Sequence, residues 1–261
     1  GSTMNPKLLS LSLAGLLVTA CGAKETTVTP ETGIPALPDG AYLLKDVKVT
    51  ENGGVSLLLR DQLKIYTKNR FMLAFMNAAA GIDVGAGIAT WRNGIMVEVP
   101  TVNHDGPVEG YSFDVAIEQT DGGFVQTIMG LKYDDGRSLD MIETWNTAST
   151  KSWIFDGLWQ LQNRNAENVT SNDFVETKMI GGGHFIWLQR SSMDGETQKH
   201  FGFGTIEVND DGSATETGMT SSLEGYAGTQ HRLKLTLIDD NHFSQTFMMN
   251  DVEVTQTYQR M

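Results

Sequence analysis

The second half of this chain repeats the first. Lys64-Ile65 and Arg70-Phe71-Met72 recur as Lys178-Met179 and His184-Phe185-Ile186, both at a spacing of 114 residues. In the same order, Gly40-Ala41-Tyr42 matches Gly157-Leu158-Trp159 and Gly85-Ala86-Gly87 matches Gly202-Phe203-Gly204. Phe124-Val125-Gln126-Thr127 matches Phe243-Ser244-Gln245-Thr246, and Glu143-Thr144-Trp145 matches Gln256-Thr257-Tyr258. Ordered matches at so steady a spacing mark a duplicated structural plan. The copies occupy residues 39–150 and 151–261, each long enough for eight short strands.

That plan is all-β. Asx-Gly punctuation recurs throughout, at Asn52-Gly53, Asn93-Gly94, Asp105-Gly106, Asp121-Gly122, Asp194-Gly195 and Asp211-Gly212. Such pairs adopt the positive φ of tight hairpin turns, so the spacing predicts an antiparallel meander. Between turns, Ser112 to Ile117 and Arg232 to Ile238 alternate or run β-branched. Only Val55 to Leu63 reads as a short helix. An open meander leaves unpaired edges, which closure into a barrel removes. Two readings stand: two antiparallel barrels in tandem, or one larger barrel or sandwich to which each copy contributes half. Met72, Ala74, Ile186 and Leu188 make both sides of their strands apolar, which favours two barrels sharing a face.

Gly157-Leu158-Trp159 resembles the first-strand Gly-x-Trp signature of lipocalins and other calycins. With Lys178, His184-Phe185-Ile186-Trp187, Gly202-Phe203-Gly204 and Gln256-Thr257-Tyr258-Gln259-Arg260, the second copy is similar to the lipocalin-like domains of secreted bacterial proteins. The resemblance implies that Trp159 stacks on Arg260, a cation–π contact worth roughly 0.5 to 2 kcal/mol. The first copy has Tyr42 for the Trp and Thr147 for the Arg, which leaves its closure in question.

Gly1-Ser2-Thr3 precedes the first methionine and reads as an expression scar. Lys7 and the apolar run Leu8 to Val18 then form a secretory signal too short to span a bilayer. The run ends in Val18-Thr19-Ala20-Cys21-Gly22, which resembles the lipobox of bacterial lipoproteins, with Cys21 as the lipidated residue. Residues 1–21 are thus expected to be scar and signal. Residues 22–38, rich in Thr, Pro, Glu and Ala, form a flexible tether. By resemblance, Gly22 after the cysteine favours an outer-membrane lipoprotein facing the periplasm or the cell surface. Cys21 is the single cysteine, which excludes an internal disulfide.

The formal charge is −13, with no basic cluster, so nucleic acid is an unfit partner and the membrane is reached through the anchor alone. No cofactor motif, P-loop or Gly-x-Ser-x-Gly occurs. The five histidines lack metal-ligand spacing, and no metal is expected. His104 and His242 fall in turn sequences and are expected to be solvated; His184 and His200 sit near strand ends. His231 shares a strand face with Leu233, Leu235 and Leu237. It is the first candidate for acid–base work if the protein is an enzyme, with no catalytic residue assigned beyond it. Glu98, Glu118 and Glu143 lie within strands, where two on one inner face would form an acid pair.

Aromatic and methionine side chains on strands carry the binding argument, with Met72, Trp91, Phe113, Trp187, Phe203 and His231 as the candidate ligand-lining set. The chain is therefore expected to be a lipid-anchored binding or carrier protein for a small hydrophobic or aromatic molecule. The rivals are a calycin-type hydratase, isomerase or cyclase acting on an apolar substrate, and a structural or partner-binding lipoprotein with solid barrels. The sequence is silent on oligomeric state.

Overall fold

The computed structural model describes residues 33–261 except 79–80, 133–134, 166 and 169–173. The expected signal, Cys21 and most of the tether lie outside the described residues. The first copy comprises β1 (Gly40–Glu51), β2 (Gly54–Leu58), β3 (Gln62–Thr67), β4 (Arg70–Asn77), β5 (Gly81–Arg92), β6 (Ile95–Asn103), β7 (Gly106–Pro107), β8 (Phe113–Thr120), β9 (Gly123–Lys132) and β10 (Ser138–Ser149). The second comprises β11 (Gly157–Arg164), β12 (Glu167–Asn168), β13 (Phe174–Gly181), β14 (His184–Met193), β15 (Glu196–Val208), β16 (Ala214–Ser221), β17 (Gln230–Asp239), β18 (His242–Met249) and β19 (Val252–Arg260).

Each copy closes on itself as an eight-stranded antiparallel barrel. In the first, the order β10-β9-β8-β6-β5-β4-β3-β1 is sealed by β1 against β10, with β2 a hairpin arm beyond β1. In the second, β11-β13-β14-β15-β16-β17-β18-β19 is sealed by β11 against β19, with β12 as the arm. Hairpin chemistry supplies the corners, since Asn52-Gly53, Asn93-Gly94 and Asp194-Gly195 all hold positive φ. A single shared barrel is ruled out. The helix expected over Val55 to Leu63 is instead β2, a short connection and the start of β3, because pairing of Val55–Leu58 with Val47–Thr50 outweighs its local pattern.

The first barrel closes without the Trp–Arg pair. Tyr42 sits opposite Thr147, as Trp159 sits opposite Arg260, and both aromatics donate a hydrogen bond to the carbonyl four residues upstream. These are Tyr42 Oη to Pro38 O at 2.5 Å and Trp159 Nε1 to Phe155 O at 2.9 Å. In the second barrel the Arg260 guanidinium lies 4.1 Å from the Trp159 ring, as expected, and Arg260 Nη1 also donates to Asp156 O at 2.9 Å. The aromatic contacts are common to both barrels, since Phe124 stacks on Trp145 and meets Tyr42 edge-on just as Phe243 stacks on Tyr258 and meets Trp159 edge-on, so the first barrel closes on this cluster without the cation.

Both faces of β3 are buried, and so is β13 from Glu176 to Gly181. One face looks into its own barrel. The other belongs to a core shared between barrels, in which Leu63, Ile65, Met72, Ala74 and Val84 pack with Leu158, Met179, Ile186, Leu188, Phe201 and Phe203. Each barrel also has its own inner core.

Candidate site in the second barrel

Strand alternation that sends Ile65 and Met179 into the shared core sends Lys64 and Lys178 into the barrels. Each lysine meets a glutamate from the strand across the interior. Lys64 Nζ lies 2.5 Å from Glu98 Oε1 and donates to Gln126 Oε1 at 3.1 Å. Lys178 Nζ pairs with Glu216 Oε1 and donates to Gln245 Oε1 at 3.0 Å. A phenol joins each network, Tyr66 donating to Glu98 and Tyr258 to Glu176. Burial first, and the adjoining carboxylate second, push both phenols well above their ordinary pKa, so they remain donors.

The remaining carboxylate changes strand between copies. The first barrel has Gln62 on β3 and Glu143 on β10; the second has Glu176 on β13 and Gln256 on β19, at the equivalent positions. Glu143 accepts from Trp145 Nε1 at 2.9 Å and lies 3.8 Å from the Arg60 guanidinium. Glu176 accepts from Gln189 Nε2 at 2.6 Å, while Gln256 Oε1 accepts from Gln245 Nε2 at 2.7 Å. Arg164 sits directly across β11–β19 from Gln256 and lines the second interior, as Arg60 lines the first from a different point in the chain.

The two interiors differ in space. In the first, Phe75, Phe113, Leu131 and Met141 fill the wall and leave a cavity of about 70 Å³. In the second, a cavity of about 280 Å³ runs from the Lys178 network past Trp187, Tyr226, Leu233, Phe247 and Met249 to the mouth. One difference between the linings lies at the mouth. Phe113 and His231 hold equivalent places, each opposite the ion-paired glutamate on the neighbouring strand; Phe113 is buried and His231 is exposed at the rim. Residues 222–229 bring Tyr226 onto the wall, where Trp187 Nε1 donates to its hydroxyl at 3.1 Å. Burial raises the Tyr226 pKa. Gly218 makes this fit possible, since a Cβ there would stand 2.7 Å from the Tyr226 ring.

The structure divides the residues singled out from sequence. Trp187 and His231 line the second cavity and Phe113 the first. Met72 and Phe203 lie in the shared core between barrels, because their strand parity turns them outward. Trp91 packs half-buried at the end of the first barrel, donating to Ile34 O at 3.1 Å. Glu98 and Glu143 do share the first interior, whereas Glu118 is exposed. His104 is a correction: it is buried, not solvated, and Val84 N donates to its Nδ1 at 3.3 Å beside Asp83. The inner network is a functional feature that sequence reasoning misses, although Lys64, Lys178, Gln126, Gln245 and Gln256 are among the residues that align the copies. Their signal was a polar residue held at the same inward parity in both.

No group of three or more potential metal ligands occurs among the described residues. No family model matches the chain, and no curated protein matches it in sequence. Two solved structures are similar in part. An uncharacterized protein of Saccharomyces cerevisiae superposes with a TM-score of 0.48 at 11% identity, over 85% of this chain and 98% of that one. A protein of unknown function from Nostoc punctiforme, of the DUF3598 family, gives a TM-score of 0.24 at 12% identity, over 85% and 96%. Neither likeness bears on function.

Proposed function

We propose that the chain is a lipocalin-like binding or carrier protein for a small, largely apolar molecule, and that the second barrel holds the ligand. The observation that carries this reading is the contrast between a second-barrel cavity of about 280 Å³ and a first-barrel cavity of about 70 Å³, set on equivalent polar frames. A concave site with apolar walls and a few convergent polar groups is the usual form of a small-molecule site. The first barrel then serves as the scaffold against which the second docks. The direct experiment extracts protein purified from its native host with organic solvent and identifies co-purified small molecules by mass spectrometry. Protein that is empty from every preparation, and that shows no tryptophan fluorescence change with any apolar probe, overturns the proposal.

The setting belongs to the same reading. The signal ending in Cys21-Gly22 and the polar tether support an outer-membrane lipoprotein whose barrels hang in the periplasm or at the cell surface. Radiolabelled palmitate should enter the full chain and not its Cys21→Ala variant; equal labelling of both would remove the anchor from the proposal.

A further inference from the structure

We infer that the second barrel selects an uncharged ligand bearing a hydrogen-bond acceptor, such as a ketone or ester, over an ionised amphiphile of the same size. This rests on the reading of that barrel as the binding site.

The charged side chains lining the second cavity inside its histidine rim are Arg164, Lys178, Glu176 and Glu216, two of each sign. Those lining the first are Arg60, Lys64, Glu98 and Glu143, again two of each. The balance is kept although one carboxylate has moved from β10 to the opposite flank, with Gln62/Glu143 becoming Glu176/Gln256. Two different placements with one formal sum indicate that the sum is what the interior requires. A barrel interior screens charge poorly, and an ion brought in without a counter-charge is strongly disfavoured. An ionised ligand would be that ion.

The wall also carries a donor without a partner among the described residues. Arg164 Nε is buried and has no hydrogen-bond partner among the described residues. In the first barrel Arg60, which lines that interior from a different place in the chain, donates from Nε to Gln62 Oε1 at 2.7 Å. Arg164 lies on the cavity wall across from Gln256, with its guanidinium 4.9 Å from the Phe174 ring. A neutral oxygen acceptor meets the Arg164 guanidinium on the cavity wall without disturbing the charge balance, and the rest of the ligand lies along Trp187, Leu233 and Phe247.

The test uses three probes of one chain length at pH 8: 2-undecanone, undecanoate and undecylammonium, titrated calorimetrically and by tryptophan fluorescence. The ketone should bind about tenfold or more tighter than either ion. Glu176→Gln leaves one positive charge in excess and should invert the order in favour of undecanoate. Glu176→Gln combined with Gln256→Glu recreates the arrangement of the first barrel, restores the sum and should restore the ketone preference. A wild-type preference for either ion, or an order that Glu176→Gln leaves unchanged, overturns the inference while leaving the barrel a binding site. Failure of all three probes to bind overturns the binding reading itself.

Discussion

Lys178 shows what a buried charge demands of its neighbours. At 2% exposure it has given up most of its hydration, and the return comes from Glu216 and Gln245. Removing one partner strands the other, so Lys178→Met should destabilise the protein by about 3–5 kcal/mol in urea unfolding, whereas Lys178→Met with Glu216→Leu should recover most of that loss. Asp83 is the opposite case, a carboxyl at 2% exposure whose Oδ1 has no hydrogen-bond partner among the described residues. Burial pushes its pKa up to about 7, against the pull of Arg60 and with a smaller push from Asp105. A raised folded-state pKa means that Asp83 favours the fold at pH below about 4, and that this contribution is lost as pH rises to about 7. Asp83→Asn should therefore gain on the wild type as pH rises across that window, by up to roughly 4 kcal/mol; melting temperatures of the two proteins at pH 4 and pH 8 read the difference. A gap that does not widen with pH would remove the assignment. Comparing the variant with the wild type matters because His104 and His184, lowered by burial, slope the other way below the ordinary histidine pKa. Single-residue roles were unevenly legible. The Trp159–Arg260 stack was legible only through the resemblance of Gly157-Leu158-Trp159 and the terminal Arg260 to the calycin pattern. The burial of His104 was not, because it depends on Val84 and Asp83 from a strand twenty residues away.

At the scale of strands, parity was readable and its reference face was not. Alternation says that Met72 and Phe71 point to opposite sides, but only the docking of a second barrel decides that Phe71 is inside and Met72 outside. The paired glycines are clearer. Gly87 and Gly204 sit at equivalent bulges, where β5 meets β6 and β15 meets β16. A Cβ would lie 2.1 Å from Val99 O at Gly87 and 1.9 Å from Thr217 O at Gly204, distances that force the backbone apart. The close backbone approach at a bulge is the physical cause of these glycines. Gly204→Ala should cost about 1–3 kcal/mol or more by chemical denaturation. Gly122→Ala, in a turn where the added Cβ meets nothing within 4 Å, should be close to neutral. Equal costs at the two positions would mean that the bulge tolerates a side chain.

The whole molecule is two closed hydrogen-bond circuits glued by one apolar face. Duplication was legible end to end, because a repeat survives in spacing even where its residues change. The choice of barrel for the ligand was not, because it turns on volume: Phe113 against His231 and Leu73 against Trp187 are ordinary substitutions until the interiors around them are assembled. The shared face is built of residues that point out of both barrels, with Gly182 of the β13–β14 turn set so tightly against the first barrel that a Cβ would stand 2.2 Å from Ala41 N. The interface should therefore be separable from the barrels. Met72→Glu places a charge in the shared core while leaving each inner core and the second cavity untouched. Intact protein should melt in one calorimetric transition, since neither barrel can expose its outer face without losing the other's cover. The variant should show two transitions, because burying an unpaired carboxylate costs more than the docked state can retain. Its second barrel, still folded between them, should bind 2-undecanone with unchanged affinity; lost binding would make the first barrel part of the site rather than its support.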